Sequence, residues 1–237
     1  MNHYPIYPDR TVLDLAGFWE FQWLGDADWS AVEPAAIAPD TVMAVPGVFD
    51  SLPAYTQKRG VGIYRKQLPD DFRPGERLRL KIGGMGLFAR LWFDGKPLGD
   101  CQLPYSGVHY DFKVERAGRH ELVIAVDNRF DPERVPLFNP NYDFYGYGGI
   151  YREVELHRLP DCAIERVQVT PLDLASVRLT IKLHGQVPAE CTFAVAFDGG
   201  AAQSFTLPVA DGQARLELPV PNPRTWSPDN PQLHIVE

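Results

Sequence analysis

One segment of the sequence combines residue types that could bind a sugar. From Phe138 to Arg152 the chain reads FNPNYDFYGYGGIYR, which places two asparagines, a single aspartate and several aromatic residues in fifteen positions. Aromatic rings stack on the C–H faces of sugars, and an ionised carboxylate accepts strong hydrogen bonds from hydroxyl groups. The segment therefore indicates a sugar-binding loop with Asp143 as the hydrogen-bond acceptor. The alternative is a loop whose tyrosine and phenylalanine side chains close one end of a β-sandwich.

Other kinds of active site find no support in the sequence. The acidic residues fall mostly in turns or on the polar side of alternating stretches, and no two of them stand out as a catalytic pair. The six histidines lack metal-binding spacing, and neither a GxSxG nor a GxxxxGK[ST] motif occurs. Residues 83–86 (GGMG) lie between two predicted strands and indicate a bend rather than a phosphate-binding loop. We predict no metal, no cofactor and no catalytic residue in these 237 residues.

The composition favours an acidic all-β protein. The formal net charge is −8, which argues against a nucleic acid or an anionic membrane as the main partner. Hydrophobic residues make up 45% of the chain, enough for a sizeable core. The 20 glycines and 22 prolines leave little room for helices of average length. A chain of 237 residues can hold two β domains, but these leave no space for a (β/α)8 barrel of about 250 residues.

The cysteines and the amino terminus bear on the cellular compartment. Cys101, Cys162 and Cys191 are far apart in sequence, so we expect buried thiols rather than disulfides or a zinc site. Met1–Arg10 contains no apolar run of signal-peptide length, and no apolar stretch of 18 residues follows. The expected location is the cytoplasm.

Alternation of apolar and polar residues predicts antiparallel strands with one buried face. The pattern is clearest over residues 77–82 and 177–184, and Asp-Gly turns at 94–95 and 198–199 predict tight hairpins. Only residues 26–38 could hold a helical turn. Further strands are predicted near residues 17–23, 61–68, 89–93, 96–102, 109–115, 119–126, 149–158, 162–170, 191–197, 203–208, 213–219 and 232–237.

A domain boundary is predicted at Leu159-Pro160-Asp161, where one strand ends and a new alternation begins. Residues 1–159, with about nine strands, suit a jelly-roll sandwich. Residues 160–237, with about six strands, fall short of the seven strands and about 100 residues of an immunoglobulin-like sandwich. The second domain is thus expected to be truncated at its carboxyl-terminal end, with an exposed final strand around Leu233–Glu237.

Several motifs along the chain resemble the amino-terminal part of glycoside hydrolase family 2, the group of β-glucuronidases, β-galactosidases and β-mannosidases. The most specific is DFYGYGGIYREVEL, in which an acidic residue and aromatics precede a Gly-Ile-aromatic-Arg run. Its form favours the β-glucuronidase-like subgroup. The other motifs follow in the family's order: LDLAGFW from Leu13, AVPGVFD from Ala44, GIYRK from Gly62, LWFDG from Leu91, AVDNR from Ala125 and RTWSPDNPQL from Arg224.

The resemblance implies a jelly-roll sugar-binding-type domain, an immunoglobulin-like domain and then a (β/α)8 barrel that carries both catalytic glutamates. No Asn-Glu pair, which marks the family's acid/base residue, occurs in this chain, so no catalytic residue is carried over. Asp143 matches the acidic residue that reaches the substrate pocket and would bind a sugar hydroxyl. Arg152 is expected to anchor the loop through a structural ion pair, and Trp226 to plug the second domain.

The resulting hypothesis is a non-catalytic region of a retaining β-glycosidase, which binds its carbohydrate substrate and forms oligomer contacts only as part of the complete enzyme. One alternative is a free-standing carbohydrate-binding module. Another is a structural or adhesion protein, which ranks last because a secretion signal and paired cysteines are missing from the sequence.

Overall fold

The structure is a computed structural model that describes residues 10–131, 133–134 and 145–237. The chain divides into two compact units, Met1–Leu159 and Pro160–Glu237. Within the described ranges, strands dominate both units and helix is confined to single 3₁₀ turns. The predicted all-β fold of β-sandwiches is confirmed.

The first unit contains two large antiparallel sheets and one small sheet. Its strands are β1 (Val12–Asp14), β2 (Gly17–Gly25), β3 (Thr41–Val45), β4 (Gly47–Val48), β5 (Val61–Leu68), β6 (Arg77–Ile82), β7 (Met85–Gly86), β8 (Phe88–Phe93), β9 (Lys96–Cys101), β10 (Val108–Lys113), β11 (His120–Asp127), β12 (Gly149–Ile150) and β13 (Val154–Leu159). The sheet orders are β1-β13-β6-β10, β3-β2-β5-β11-β8-β9 and β4-β12-β7. One-turn 3₁₀ helices occupy Trp29–Ala31, Pro34–Ala36 and Phe49–Ser51.

The core of the first unit lies between its two large sheets. Leu78, Leu80 and Ile82 of β6 point inward and are fully buried, whereas the alternate residues of that strand point outward. From the six-stranded sheet, β11 contributes Leu122 and Ile124 to the same cluster. The intervening Val123 and Ala125 belong to a second cluster, which includes Trp29 of the first 3₁₀ turn. The six-stranded sheet is therefore covered on both faces. Alternation in the sequence is therefore a direct record of which face each residue occupies.

The turns follow the predicted chemistry. Asp94-Gly95 and Asp198-Gly199 have positive φ at both positions, as two-residue hairpin turns require. The bend predicted at residues 83–86 is found at Gly83, directly after β6, whereas Met85 and Gly86 form β7. Two predictions need correction: the 3₁₀ turn at Phe49–Ser51 lies outside residues 26–38, and the strand predicted at 149–158 is interrupted between β12 and β13.

The second unit contains a three-stranded and a two-stranded sheet. Its strands are β14 (Cys162–Pro171), β15 (Ser176–Gly185), β16 (Glu190–Val195), β17 (Gln203–Pro208) and β18 (Gln213–Pro219), in the orders β14-β15-β18 and β16-β17. The alternation at 177–184 is confirmed, since Val177, Leu179, Ile181 and Leu183 are buried. The strand predicted at 232–237 is reduced to one bridge, between Phe197 and Val236.

The cysteines are free, with Cys101 buried and Cys162 and Cys191 half-buried. Burial raises the pKa of the Cys101 thiol above its ordinary value. Within the described ranges, no helix has the length and apolar character needed to cross a membrane.

Candidate functional site

Asp143, the predicted sugar-binding residue, lies outside the described residues. The described part of its motif begins at Tyr145 and continues through β12 to Arg152. The candidate site is therefore defined by the described residues that hold this second half of the motif.

The buried carboxylate of Asp50 binds the backbone of the segment from Tyr145 to Arg152. Asp50 is 3% exposed, and its Oδ2 accepts hydrogen bonds from the Gly148 backbone N–H (3.0 Å) and from Asn128 Nδ2 (3.0 Å). Asp50 Oδ1 has no hydrogen-bond partner among the described residues. Two motifs that are distant in sequence, AVPGVFD and AVDNR, thus meet through their Asp and Asn side chains.

Asn128 connects this carboxylate to a third segment. Its Oδ1 accepts the Gly60 N–H (2.8 Å), and its Nδ2 also donates to Lys58 O (3.2 Å). A fully buried amide with all of these bonds satisfied is held in a single orientation. Asn128 therefore fixes the loop before β5 relative to the end of β11.

Arg59, in that loop, binds the start of the segment. Its guanidinium donates to the carbonyl oxygens of Asn128 (2.9 Å), Gly146 (2.6 Å) and Tyr145. The same group stacks on the rings of Tyr145 (4.2 Å) and Phe130 (4.8 Å). Among the described residues Arg59 has no carboxylate partner, so its donors serve the backbone. We call Asp50, Arg59 and Asn128 the loop clamp.

Close backbone contacts complete the anchoring of β12. Gly149 pairs with Val48 on one side and with Gly86 on the other. Its φ is +143°, and a Cβ there would lie 2.5 Å from the Gly47 carbonyl oxygen. Glycine is therefore required where the motif passes between its two neighbours.

Tyrosine side chains line the surface beside the clamp. Tyr105 (46% exposed) and Tyr147 (50% exposed) present their rings to solvent. Tyr105 has φ +66°, which is uncommon for a bulky residue, and its N–H donates to Tyr151 Oη (2.7 Å). Tyr151 Oη in turn donates to Met85 O (3.1 Å), and burial raises the pKa of Tyr151 to about 12. The Tyr151 hydroxyl therefore acts as a neutral hydrogen-bonding group.

Arg152 and Trp226 are the other two residues for which the sequence predicts a structural role. Arg152 has an exposed side chain without an ion-pair partner among the described residues, and its N–H donates to Gly84 O (3.3 Å). Trp226 is 59% exposed, so the prediction that it plugs the second unit is wrong. The residues around it are braced by polar contacts to Asp198 instead of by a closed core.

Several carboxylates of the strands are engaged in cross-strand ion pairs, as in Arg79–Asp111, Lys81–Glu155 and Arg178–Glu217. Nowhere in residues 10–131, 133–134 and 145–237 do three or more His, Cys, Asp or Glu side chains gather as possible metal ligands.

Neither Arg59 nor Tyr105 stands out in the sequence. No periodicity marks Arg59, because it lies in a loop and acts through backbone carbonyls. Asp50 and Asn128 belong to motifs that were identified, but their contact joins residues 78 positions apart.

Comparisons with known proteins agree with the motifs. The chain is 29% identical over 255 residues to a β-galactosidase of Leuconostoc mesenteroides, covering 97% of this chain and 23% of that protein. Its fold matches a β-glucuronidase of Bifidobacterium dentium complexed with coumarin-3-O-glucuronide, with a TM-score of 0.80 and 21% identity, over 98% of this chain and 46% of that one. A family 2 β-galacturonidase of Eisenbergiella tayi gives a TM-score of 0.75 at 24% identity, over 99% and 41%.

The chain spans about a quarter of the length of the curated relatives it matches. It thus corresponds to one region of these enzymes, as the motifs predicted. No family model matches the chain. The resemblance to glycoside hydrolase family 2 is nevertheless confirmed, because relatives and structural neighbours are β-glucuronidases, β-galactosidases and β-galacturonidases.

Proposed function

We propose that residues 1–237 form a non-catalytic, two-sandwich region of a retaining β-glycosidase and help to build its sugar pocket. The first unit, residues 1–159, is the sugar-binding-type jelly roll, and residues 160–237 belong to an immunoglobulin-like sandwich. The observation that carries the proposal is the loop clamp, which holds the second half of the motif shared with family 2 against the sandwich. The fold match to β-glucuronidases supports it.

In this proposal Asp143 accepts a hydrogen bond from a sugar hydroxyl. A carboxylate suits this role because charge-assisted hydrogen bonds are about twice as strong as neutral ones. Tyr145 is two residues along the chain from Asp143, and its carbonyl oxygen is bound by Arg59. The clamp therefore fixes the backbone of Tyr145, two residues after the aspartate that is proposed to bind the sugar. Hydrolysis itself would use two glutamates about 5 to 5.5 Å apart on a barrel outside this chain.

The decisive experiment begins with the coding sequence beyond codon 237. We expect an Asn-Glu pair and a later second glutamate within a (β/α)8 region of about 250 residues. The full gene product should hydrolyse 4-nitrophenyl β-glucuronide or β-galactoside, whereas residues 1–237 alone should not. Turnover by the 237-residue chain, or a reading frame without such a region, would refute the proposal.

The role of Asp143 can be measured in the full gene product. Asp143→Ala should lower kcat/KM about 10- to 100-fold, the loss of one hydrogen bond to a charged group. Asp70→Ala is the matched control, since Asp70 lies in an exposed turn and should leave the rate unchanged. Equal rates for the two variants would remove Asp143 from the site.

A free-standing carbohydrate-binding module is the second candidate, favoured by the exposed rings of Tyr105 and Tyr147. It requires that residues 1–237 bind methyl β-glucuronide or methyl β-galactoside at millimolar concentration or below, and that Tyr147→Ala weakens binding. A flat titration calorimetry trace would exclude it.

A further inference from the structure

Arg59 of the loop clamp joins two stretches of chain that are distant in sequence. Its Nη1 donates to Asn128 O (2.9 Å) and to Gly146 O (2.6 Å). The same guanidinium stacks on the rings of Phe130 and Tyr145. The chain that leaves β11 and the chain that enters β12 are therefore held together, so the connection between them starts and ends at one place.

A second set of contacts holds the chain that leaves β11. Asp127, the last residue of that strand, is 1% exposed, and its carboxylate accepts hydrogen bonds from Arg129 Nε (2.9 Å) and Nη2 (2.8 Å). The same carboxylate also accepts a bond from Arg134 Nη1 (3.3 Å). Arg134 Nε donates to the side chain of Asp131, whose backbone carbonyl accepts the Arg134 N–H (3.2 Å). The Arg134 guanidinium thus connects a turn of the chain to a carboxylate that is buried in the sandwich.

Aromatic rings on one side of the sandwich support this guanidinium. Arg134 Cζ lies 5.2 Å from the centre of the Phe88 ring and 5.7 Å from that of Trp29. Trp29 is buried and packs edge-on against Phe88 (4.6 Å), and the Arg90 guanidinium also lies over the Trp29 ring (5.1 Å). Arg134 therefore binds to rings whose positions the core of the first unit fixes.

The place of Arg134 in the sequence gives these contacts a consequence for Asp143. Arg134 precedes Asp143 by nine residues, and Tyr145 follows Asp143 by two. Without the Arg134 contacts, the nearest preceding residue that another segment holds, among the described residues, would be Phe130, thirteen residues before Asp143. A residue between two anchored points has more freedom when the chain between them is longer.

We propose that Arg134 is a positioning residue for Asp143. Arg134 holds the chain before this aspartate through Asp127 and Trp29, as the loop clamp holds the chain after it. The inference rests on the proposed function, in which Asp143 binds a sugar hydroxyl. Arg134 does not touch the sugar itself. It narrows the positions that the Asp143 carboxylate takes before the substrate binds, and a misplaced binding group lowers the rate.

A double-mutant cycle in the full gene product tests this action through Asp143. Arg134→Ala should lower kcat/KM about tenfold. In the Asp143→Ala background it should cost less than about a further twofold, because the residue through which Arg134 acts is gone. Arg134→Lys keeps the charge but loses the forked donation, so it should lower kcat/KM about threefold, and it carries the cycle if Arg134→Ala does not fold. Equal losses in both backgrounds, or unchanged rates for both Arg134 variants, would overturn the inference.

Arg158→Ala is the matched control. Arg158 also binds two carboxylates, Asp71 (2.6 Å) and Glu76 (3.5 Å), and stacks on an aromatic ring, that of Phe72 (4.6 Å). Its side chain is 29% exposed, against 25% for Arg134. Arg158→Ala should therefore lower the Tm about as much as Arg134→Ala but should keep kcat/KM within about twofold of the wild type. A tenfold loss of rate for Arg158→Ala, measured well below its Tm, would overturn the inference, because the effect would then follow from lost stability.

These outcomes separate the inference from the proposed function. A slow Asp143→Ala variant together with wild-type rates for the Arg134 variants would overturn the inference alone. Failure of the proposed function would appear in Asp143→Ala itself, as a rate equal to that of Asp70→Ala. That result would overturn the inference as well, since Arg134 is proposed to act only through Asp143.

Discussion

The two units use the same alternating strand pattern but cover their sheets differently. In the first unit the six-stranded sheet has packed clusters on both faces, with Tyr64 on one side of β5 and Ile63 on the other. In the second unit β14 alternates as clearly, yet Val167 and Val169 remain half-exposed. A period of two therefore tells which face a residue occupies, whereas burial depends on whether another sheet lies above that face.

The largest expected effect compares core rows of the two units. Leu80→Ala in β6 removes a fully buried side chain and should lower the free energy of unfolding of the first unit by about 3–4 kcal/mol. Val167→Ala in β14 should cost the second unit less than about 1 kcal/mol, because the side chain is already half in water. Chemical denaturation and, independently, calorimetry measure the loss in the free energy of unfolding for each variant. Similar losses would mean that β14 is covered in solution.

A second comparison concerns two carboxylates that each accept several hydrogen bonds. Asp50→Ala leaves the Gly148 N–H without its acceptor in a buried site and should cost about 2–3 kcal/mol. Asp198 accepts bonds from Ile235 and His234 at the surface, and these hold the pKa of its carboxyl below the usual range. Asp198→Ala should destabilise the second unit less, because water can replace the carboxylate as the acceptor for Ile235 and His234. A larger loss for Asp198→Ala in urea titrations would reverse the comparison.

Several strands and turns of both units could be predicted from the sequence, because they depend on local patterns. The strands predicted at 77–82 and 177–184 and the two Asp-Gly turns depend on neighbouring residues only, and the structure has them at these positions. Trp226 was misjudged because a large aromatic residue between prolines fits a plug as well as an exposed surface. Nothing in the local pattern states which of the two applies.

The loop clamp is the part of the candidate site that could not be predicted from the sequence. The motif containing Asp143 can be recognised from its consecutive residues. Two other motifs of the family resemblance, AVPGVFD and AVDNR, contain Asp50 and Asn128. Their partnership spans 78 residues, and Arg59 reaches backbone atoms 86 and 87 positions away. Every residue type has a backbone carbonyl oxygen, so a hydrogen bond to such an oxygen cannot be recognised from the residue types in the sequence. A single sequence could therefore indicate the motif that contains Asp143 but not the side chains that hold its second half.

The third comparison uses the two arginines that brace loops. Arg59→Lys keeps the charge but loses the forked donation to Gly146 and Tyr145, and should destabilise the first unit by about 1–2 kcal/mol. Arg224 makes longer contacts of 3.2–3.3 Å at the surface, so Arg224→Lys should cost less than about 0.5 kcal/mol. Thermal unfolding of the two variants, read by circular dichroism, checks the order. Equal stability of Arg59→Lys and the wild type would show that the stacked ring contacts, and not the fork, hold the loop.

The smallest expected effect is a pH dependence that belongs to the first unit. Burial lowers the pKa of His157 below its ordinary value of 6.5. Its partner Glu155 is disfavoured as an anion by burial, but hydrogen bonds from His157 and Lys81 outweigh this and lower its pKa from 4.5. Both folded-state values lie below the unfolded ones, so the unfolded chain binds more protons and stability falls as the pH drops below about 6.5.

His157→Gln isolates the histidine part of this dependence. The variant should lose less Tm than the wild type between pH 7.5 and pH 5.5, because the glutamine cannot take up the proton that favours unfolding. Glu155→Gln should change the profile mainly below pH 4.5, where the wild-type carboxylate becomes protonated. If the His157→Gln profile instead parallels the wild type from pH 7.5 to 5.5, the acid sensitivity comes from elsewhere, and burial of His157 in β13 has no consequence for the stability of the first unit. A reduced slope would show that the buried His157 takes up the proton that favours unfolding.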